Sequence, residues 1–311
     1  MKKIQIYCFF FCIASLLNAG NTTRSDEVDS PWLKVYKQMK SSLKLAKSEQ
    51  LFYQWKNFDL KEPLFKEFSE STFLNQFQQQ YLSKEGNILI IGLNSDEKLD
   101  LSLLSELPKL DALTLYVRNV DLSKIPQNIK LLSFCKTSLE SLASMPNMPK
   151  VKFLYLSKIG SQIKWPEFFA KFPNLAVLCW QLPPKGIELK GQFLPQLEFL
   201  TIRRFNKILL SPDLELKGLA LSLCQNARLP DFKGLKLEEL IIKNSSKLKN
   251  YSSISSLTSL KRLIINKTPL NDWSFLKDIQ LDYLDIRDTP LANAKIPKWL
   301  NVKTIINKAD Q

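Results

Sequence analysis

The chain has 311 residues, 45% apolar and 24% charged, with a formal net charge of +14, which is a globular composition with a surplus of cations. It contains no histidine, and this removes Ser-His-Asp and Cys-His nucleophilic sites and every His-bearing metal site. Glycine is scarce at 8 residues and no glycine-rich phosphate loop occurs, so neither a catalytic residue nor a cofactor or metal site is expected.

Lys2 and Lys3 precede an apolar run from Ile4 to Leu17, followed by Asn18-Ala19-Gly20. A charged start, a short apolar middle and a small-residue end describe a secretory signal peptide over residues 1–20, and the run is too short to span a bilayer comfortably. Export to the periplasm, cell surface or extracellular space is the expectation, with an uncleaved anchor as the alternative. Beyond the leader, Cys135, Cys179 and Cys224 are too few and too irregular for a disulfide framework, and free thiols are expected.

Residues 21–86 read as an N-terminal helical cap. Ser30-Pro31 has the form of an N-cap followed by proline at the first helical position. Trp32, Val35, Tyr36, Met39, Leu43 and Ala46 then share one helix face, with Lys34, Lys37, Lys40, Lys44 and Lys47 on the neighbouring one. That basic row reads as the solvated side of a packed helix, with an anionic surface as the functional alternative. Ser71 is placed to cap a second helix carrying Phe73, Leu74, Phe77 and Tyr81.

From residue 87 to 311 the chain repeats itself. Leu260-Lys261-Arg262-Leu263-Ile264-Ile265 and Leu281-Asp282-Tyr283-Leu284-Asp285-Ile286 fit the leucine-rich-repeat template L-x-x-L-x-L-x-x-N/C-x-L, with Thr268 and Thr289 at its ninth position. Earlier copies open at Ile88, Leu110, Ile129, Val151, Leu175, Leu197, Leu216 and Leu237, and a degraded one opens at Val302, spaced by 19–24 residues. In the first copy the apolar triplet is Ile88, Ile91, Leu93. Each repeat is too small to bury its apolar side alone, so neighbours must stack. The fold class is therefore α/β: a leucine-rich-repeat solenoid of ten to eleven repeats, with a curved parallel sheet on its concave face and an N-terminal helical cap. Asp121 to Pro126 reads as an extended or 3₁₀ connection on the convex side, and Trp165 to Phe169 as a helical turn.

Positions four and six of each strand point inward, and positions three, five and seven point out from the concave face. The outward set contains an apolar, aromatic column, Tyr116, Leu131, Phe153, Tyr155, Val177 and Phe199, and then a basic group, Arg203, Lys243, Arg262 and Arg287. Contiguous exposed apolar surface marks an interaction site, and aromatic residues are common anchors. These residues are the candidate partner-binding site. The expected partner is a protein, and replacing Phe153 and Tyr155 together by alanine is expected to weaken binding without unfolding. Most of the positive charge falls on the repeats, so a binder of anionic glycan or lipid is the alternative; a secretory leader argues against nucleic acid.

Over residues 88–307 the chain resembles secreted bacterial leucine-rich-repeat proteins. Thr268-Pro269-Leu270-Asn271-Asp272-Trp273-Ser274-Phe275-Leu276 is similar to the internalin T-x-L-x-D-x-S-x-L pattern, and a helical cap before the first repeat is also internalin-like. Pro183-Pro184 and Ile159-Gly160-Ser161 depart from that pattern, and no immunoglobulin-like module or wall anchor is recognisable after the repeats. The resemblance implies a noncatalytic binding scaffold that uses its concave face.

Overall fold

A computed structural model describes residues 98–107, 110–159, 162–224, 226 and 228–307, strands at 51–57 and 87–93, residues 70–72, and single residues between 35 and 43 and at 76. The leader and the row of cap lysines lie outside the described residues.

The repeat pattern becomes one 12-stranded sheet, with strands following one another in chain order. They are β1 (Leu51–Asn57), β2 (Asn87–Leu93), β3 (Leu110–Val117), β4 (Leu131–Cys135), β5 (Phe153–Ser157), β6 (Val177–Gln181), β7 (Phe199–Arg203), β8 (Gly218–Ser222), β9 (Glu239–Lys243), β10 (Arg262–Asn266), β11 (Gln280–Asp285) and β12 (Asn301–Ile306). From β2 onward every neighbouring pair is parallel, as a coil of stacked repeats requires. β1 departs from this, running antiparallel to β2 from Leu51 opposite Leu93 to Asn57 opposite Asn87. The cap thus contains an edge strand as well as the helical residues Val35, Gln38, Met39 and Ser41. Val35 and Met39, one helical turn apart, are buried in the main apolar core, while Gln38 and Ser41 face solvent.

Positions four and six carry that core. Leu132, Leu154, Leu178, Leu200, Leu219, Leu240 and Leu263 stand in register on successive strands, all fully buried. The first copy is shifted: Leu89, not Ile91, pairs with Leu113, and Ile91 pairs with Leu115. A slip of two residues keeps every side chain on its own face, so period-2 patterning cannot detect it.

Each strand from β4 to β11 leads into a left-handed residue. Lys136, Lys158, Leu182, Arg204, Leu223, Asn244, Lys267 and Asp288 all have φ between 51° and 60°. The turn lets the chain leave the sheet while keeping its amide paired: Leu182 N–H donates to the Arg203 carbonyl at 2.9 Å, and Arg204 N–H to that of Ser222 at 3.0 Å. At the ninth position, Ser245 Oγ accepts from Cys224 N–H at 3.1 Å and donates to the Lys243 carbonyl at 3.0 Å, and Thr289 Oγ1 donates to the Ile286 carbonyl at 2.6 Å.

The convex side holds short helical turns. Residues Leu122–Lys124 form a 3₁₀ turn and Trp165–Phe169 an α-helical one, as the sequence suggests. Several turns open with one device: Asp100, Asp121, Asn250 and Asp272 each accept the backbone N–H two residues on, from Ser102, Ser123, Ser252 and Ser274 at 2.8–3.1 Å. Where the spacer is longest, Trp165, Phe168, Phe169 and Phe172 fill the extra width against Trp180, with the Trp165 and Trp180 rings 4.3 Å apart. Cys135, Cys179 and Cys224 are buried and free.

Position two forms a charged column along one rim of the sheet. Lys130 pairs with Asp111 at 3.2 Å, Lys217 with Glu198 at 3.0 Å, Lys261 with Glu238 at 2.8 Å and Lys303 with Asp282 at 2.6 Å.

Candidate functional site

The register of the strands arranges the concave side chains in columns. Position three runs Ala112, Leu131, Phe153, Val177, Phe199, Gly218, Glu239, Arg262, Tyr283 and Thr304 on consecutive strands. Beside it, position five carries Tyr155, Cys179, Thr201, Ala220, Ile241, Ile264 and Asp285. The position-three column changes character at Gly218, with apolar side chains before it and Glu239 and Arg262 after it.

The structure corrects one premise. The aromatic column is not open surface: Phe153 is 0% and Phe199 1% exposed, and Leu131 and Val177 are buried with them. Together with Cys179, Ala220, Ile241 and Ile264 they form a second apolar cluster, separate from the core inside the repeats. A sheet buried on both faces carries apolar residues at consecutive positions, which explains Leu240-Ile241-Ile242 and Leu263-Ile264-Ile265. Tyr155 and Tyr116 are half-buried, and the Tyr155 hydroxyl donates to Gln181 Oε1 at 2.8 Å. Rings cannot be so thoroughly hidden on one side of a sheet without a second layer.

Residues 70–72 lie on the same face, against Glu239, Lys243 and Arg262. The Glu239 carboxylate, 1% exposed, accepts from Ser71 Oγ at 2.6 Å, Thr72 Oγ1 at 3.0 Å and Thr72 N–H at 3.1 Å. Thr72 and Gln76 are helical, so the carboxylate sits at a helix start, where backbone donors lack partners and negative charge is favoured. Lys243 Nζ lies 2.7 Å from Glu70 Oε2, and Arg262 Nη2 donates to the Glu70 carbonyl at 3.3 Å. Arg262 Nε is also 3.3 Å from Glu239 Oε1, close enough for charge attraction though its angle makes no hydrogen bond. The Arg262 guanidinium lies 3.8 Å from the Tyr283 ring centroid, which fixes its plane.

The four basic candidates do not form one patch. Lys243 and Arg262 meet on the Glu70 segment, and Arg203, half-buried, lies at position seven two strands before Lys243. Arg287 binds the fully buried Asp285 at 2.6 Å, which also accepts from Asn266 at 2.9 Å, while lying near enough to Glu70 to feel its charge. Burial pushes the Asp285 carboxyl up, but hydrogen bonds from Arg287 and Asn266 outweigh it and hold the group below the ordinary carboxylate range. Desolvation pushes the Cys179 thiol up to about 12 and raises those of Cys135 and Cys224, so these thiols stay protonated at neutral pH. Burial likewise raises the Tyr155 phenol.

Sequence reasoning missed Glu239, Tyr283, Asp285 and Glu70, and it placed Ser71 at a helix start without its contact to Glu239. Glu239 carried a signal, as an acid set at position three among Leu240, Ile241 and Ile242. The docking of the Glu70 segment on the sheet carried none, because its partners lie 167–192 residues away. An open groove of about 420 Å³ lies off this face, between the segments that follow β7 and β8, lined by Lys207, Leu209, Arg228, Leu229 and Asp231 among others.

No protein-family model matches the chain, and no curated protein is similar to it. Among solved structures it is similar to an internalin of Listeria monocytogenes, with 15% identity, 72% of this chain and 82% of that chain covered, and a TM-score of 0.32.

Proposed function

We propose that the chain is an exported, noncatalytic scaffold that recognises a protein partner through the concave face of its repeats. The observation that carries this reading is that the face already holds a polypeptide segment: Glu239, Lys243 and Arg262 grip Glu70, Ser71 and Thr72 through side-chain and backbone groups together. A surface that reads both the side chains and the main chain of a segment is built for polypeptide rather than for a polymer of uniform charge. The partly exposed Tyr155 and Tyr283, packed on the buried cluster of Phe153 and Phe199, supply aromatic contact beside it. The surplus of lysine favours a second reading, binding of an anionic glycan or lipid surface by the exterior of the repeats.

The test is capture with residues 21–311 from cell-envelope and surface extracts at low and high salt, alongside Lys243→Glu with Arg262→Glu. A discrete protein held at high salt and lost by the double variant is the expected result. Capture only of polymer or lipid, released by salt and equal in both proteins, would transfer the function to the basic exterior.

A further inference from the structure

We propose that Glu239, Lys243 and Arg262 form a recognition site for an acid–hydroxyl–hydroxyl segment at the start of a helix, that Glu70-Ser71-Thr72 fills this site in cis, and that a protein partner of the same chemistry enters only by displacing this clasp. The inference rests on the concave-face reading above and gives that face its partner chemistry and its regulation.

Three features of the site carry it. The recognition is divided by chemistry. Lys243 reads the acid side chain at 2.7 Å, Arg262 reads the carbonyl of the same residue at 3.3 Å, and Glu239 reads the two hydroxyls and the first helical N–H at 2.6–3.1 Å. An acid followed by two hydroxyl residues satisfies all three at once. A base in place of Glu70 would face Lys243 and Arg262, and apolar side chains in place of Ser71 and Thr72 would strand a buried carboxylate. The described contacts are also polar and directional, so an incoming segment of the same chemistry can replace each of them bond for bond. Finally, Glu70 sits among cations: Lys243 pairs with it at 2.7 Å and Arg287 is near enough to feel its charge, so this position favours an acid.

Tethering makes the clasp a competitor. A cis segment at an effective concentration of about 1 mM raises the apparent dissociation constant of a peptide that itself binds at about 0.1 mM by about tenfold.

The experiment uses the full chain and a fluorescent peptide with the sequence of residues 66–79, added in trans and followed by anisotropy. Glu70→Ala with Ser71→Ala and Thr72→Ala in the protein should bind this peptide about tenfold tighter than wild type does. Arg262→Glu added to that variant should abolish binding, and a peptide with the same three positions changed to alanine should not bind. Unchanged affinity in the released variant, or binding that Arg262→Glu leaves intact, overturns the proposal. Should the triple variant fail to fold by circular dichroism, Glu70→Lys carries the test: it should release the clasp and bind the peptide more tightly than wild type does, and Arg262→Glu added to it should abolish that binding. A natural partner whose capture needs Lys243 and Arg262 but is indifferent to release of the clasp would sink self-blocking and leave the scaffold standing. Capture indifferent to both cations would sink both.

Discussion

At Lys267 the backbone is left-handed, with φ of 51°, in a residue whose side chain is exposed. Nothing in its packing demands lysine, but the backbone excludes β-branched residues, whose Cβ substituents crowd the neighbouring carbonyl. Lys267→Ile should therefore lower stability by about 1–2 kcal/mol, while Lys267→Gly, which enters this region freely, should not. Urea unfolding midpoints of the two variants check this, and equal losses would mean the turn is set by something other than φ. Asp285 makes a different prediction from the same scale. Its folded-state affinity for protons is depressed, so its contribution to stability is complete above the ordinary carboxylate value of 3.8 and is lost as pH falls through the lower folded value. Stability should stay level through neutral and mildly acid pH and drop below pH 3.8, and Asp285→Asn should flatten that drop while lowering stability at pH 7. A drop of the same steepness in the variant would show that other carboxylates dominate.

Among the elements, β8 offers a direct test of the register. Leu219 is fully buried between Leu200 and Leu240, so Leu219→Ala should destabilise by about 2–5 kcal/mol, and a loss below about 1 kcal/mol would place it outside the core. The convex turn at Gly191 is constrained for another reason: a Cβ there would lie 2.1 Å from the Asp213 carbonyl oxygen. Parts of this were legible in the sequence. The strands from β3 onward, and turns such as Trp165–Phe169, follow from local patterning, because each repeat is a local unit. The register of the first copy was not legible, since a two-residue slip preserves every inward and outward position. Nor was β1, whose place is set by pairing with Asn87–Leu93 about 36 residues away rather than by a repeat. The concave face was half legible: the chemistry of Phe153, Phe199, Lys243 and Arg262 was visible, but a strand pattern cannot say whether a second layer lies on an outward face. That layer also changes what the aromatic variants mean. Phe153→Ala removes a fully buried ring and should cost about 3–5 kcal/mol, so its effect on binding cannot be separated from folding, whereas changes at Lys243 and Arg262 address the site directly.

On the scale of the whole molecule, a solenoid's stability is set by neighbouring repeats, so the charges that flank its sheet act as a chain rather than as isolated pairs. From β7 to β12 the position-two column alternates without a break: Glu198, Lys217, Glu238, Lys261, Asp282, Lys303. Each interior member therefore has an opposite charge on both sides, and a stack displaced by one repeat would set like charges side by side, which gives the rim a role in fixing register. Exchanging an isolated ion pair leaves its energy unchanged; exchanging a pair inside this column does not. Glu238→Lys with Lys261→Glu keeps the attraction between the two but sets the new cation beside Lys217 and the new anion beside Asp282. At the other end, Lys130 stands between Asp111 and Lys152, so Asp111→Lys with Lys130→Asp brings the new anion beside Lys152 and gains an attraction. The first exchange should lower the unfolding temperature at low ionic strength and the second should lower it less or raise it. Both differences should fade near 1 M salt, where the screening length is about 3 Å. Equal effects of the two exchanges, or effects that survive high salt, would mean that the pairs act separately and that the order of charges along the rim is incidental to the stacking.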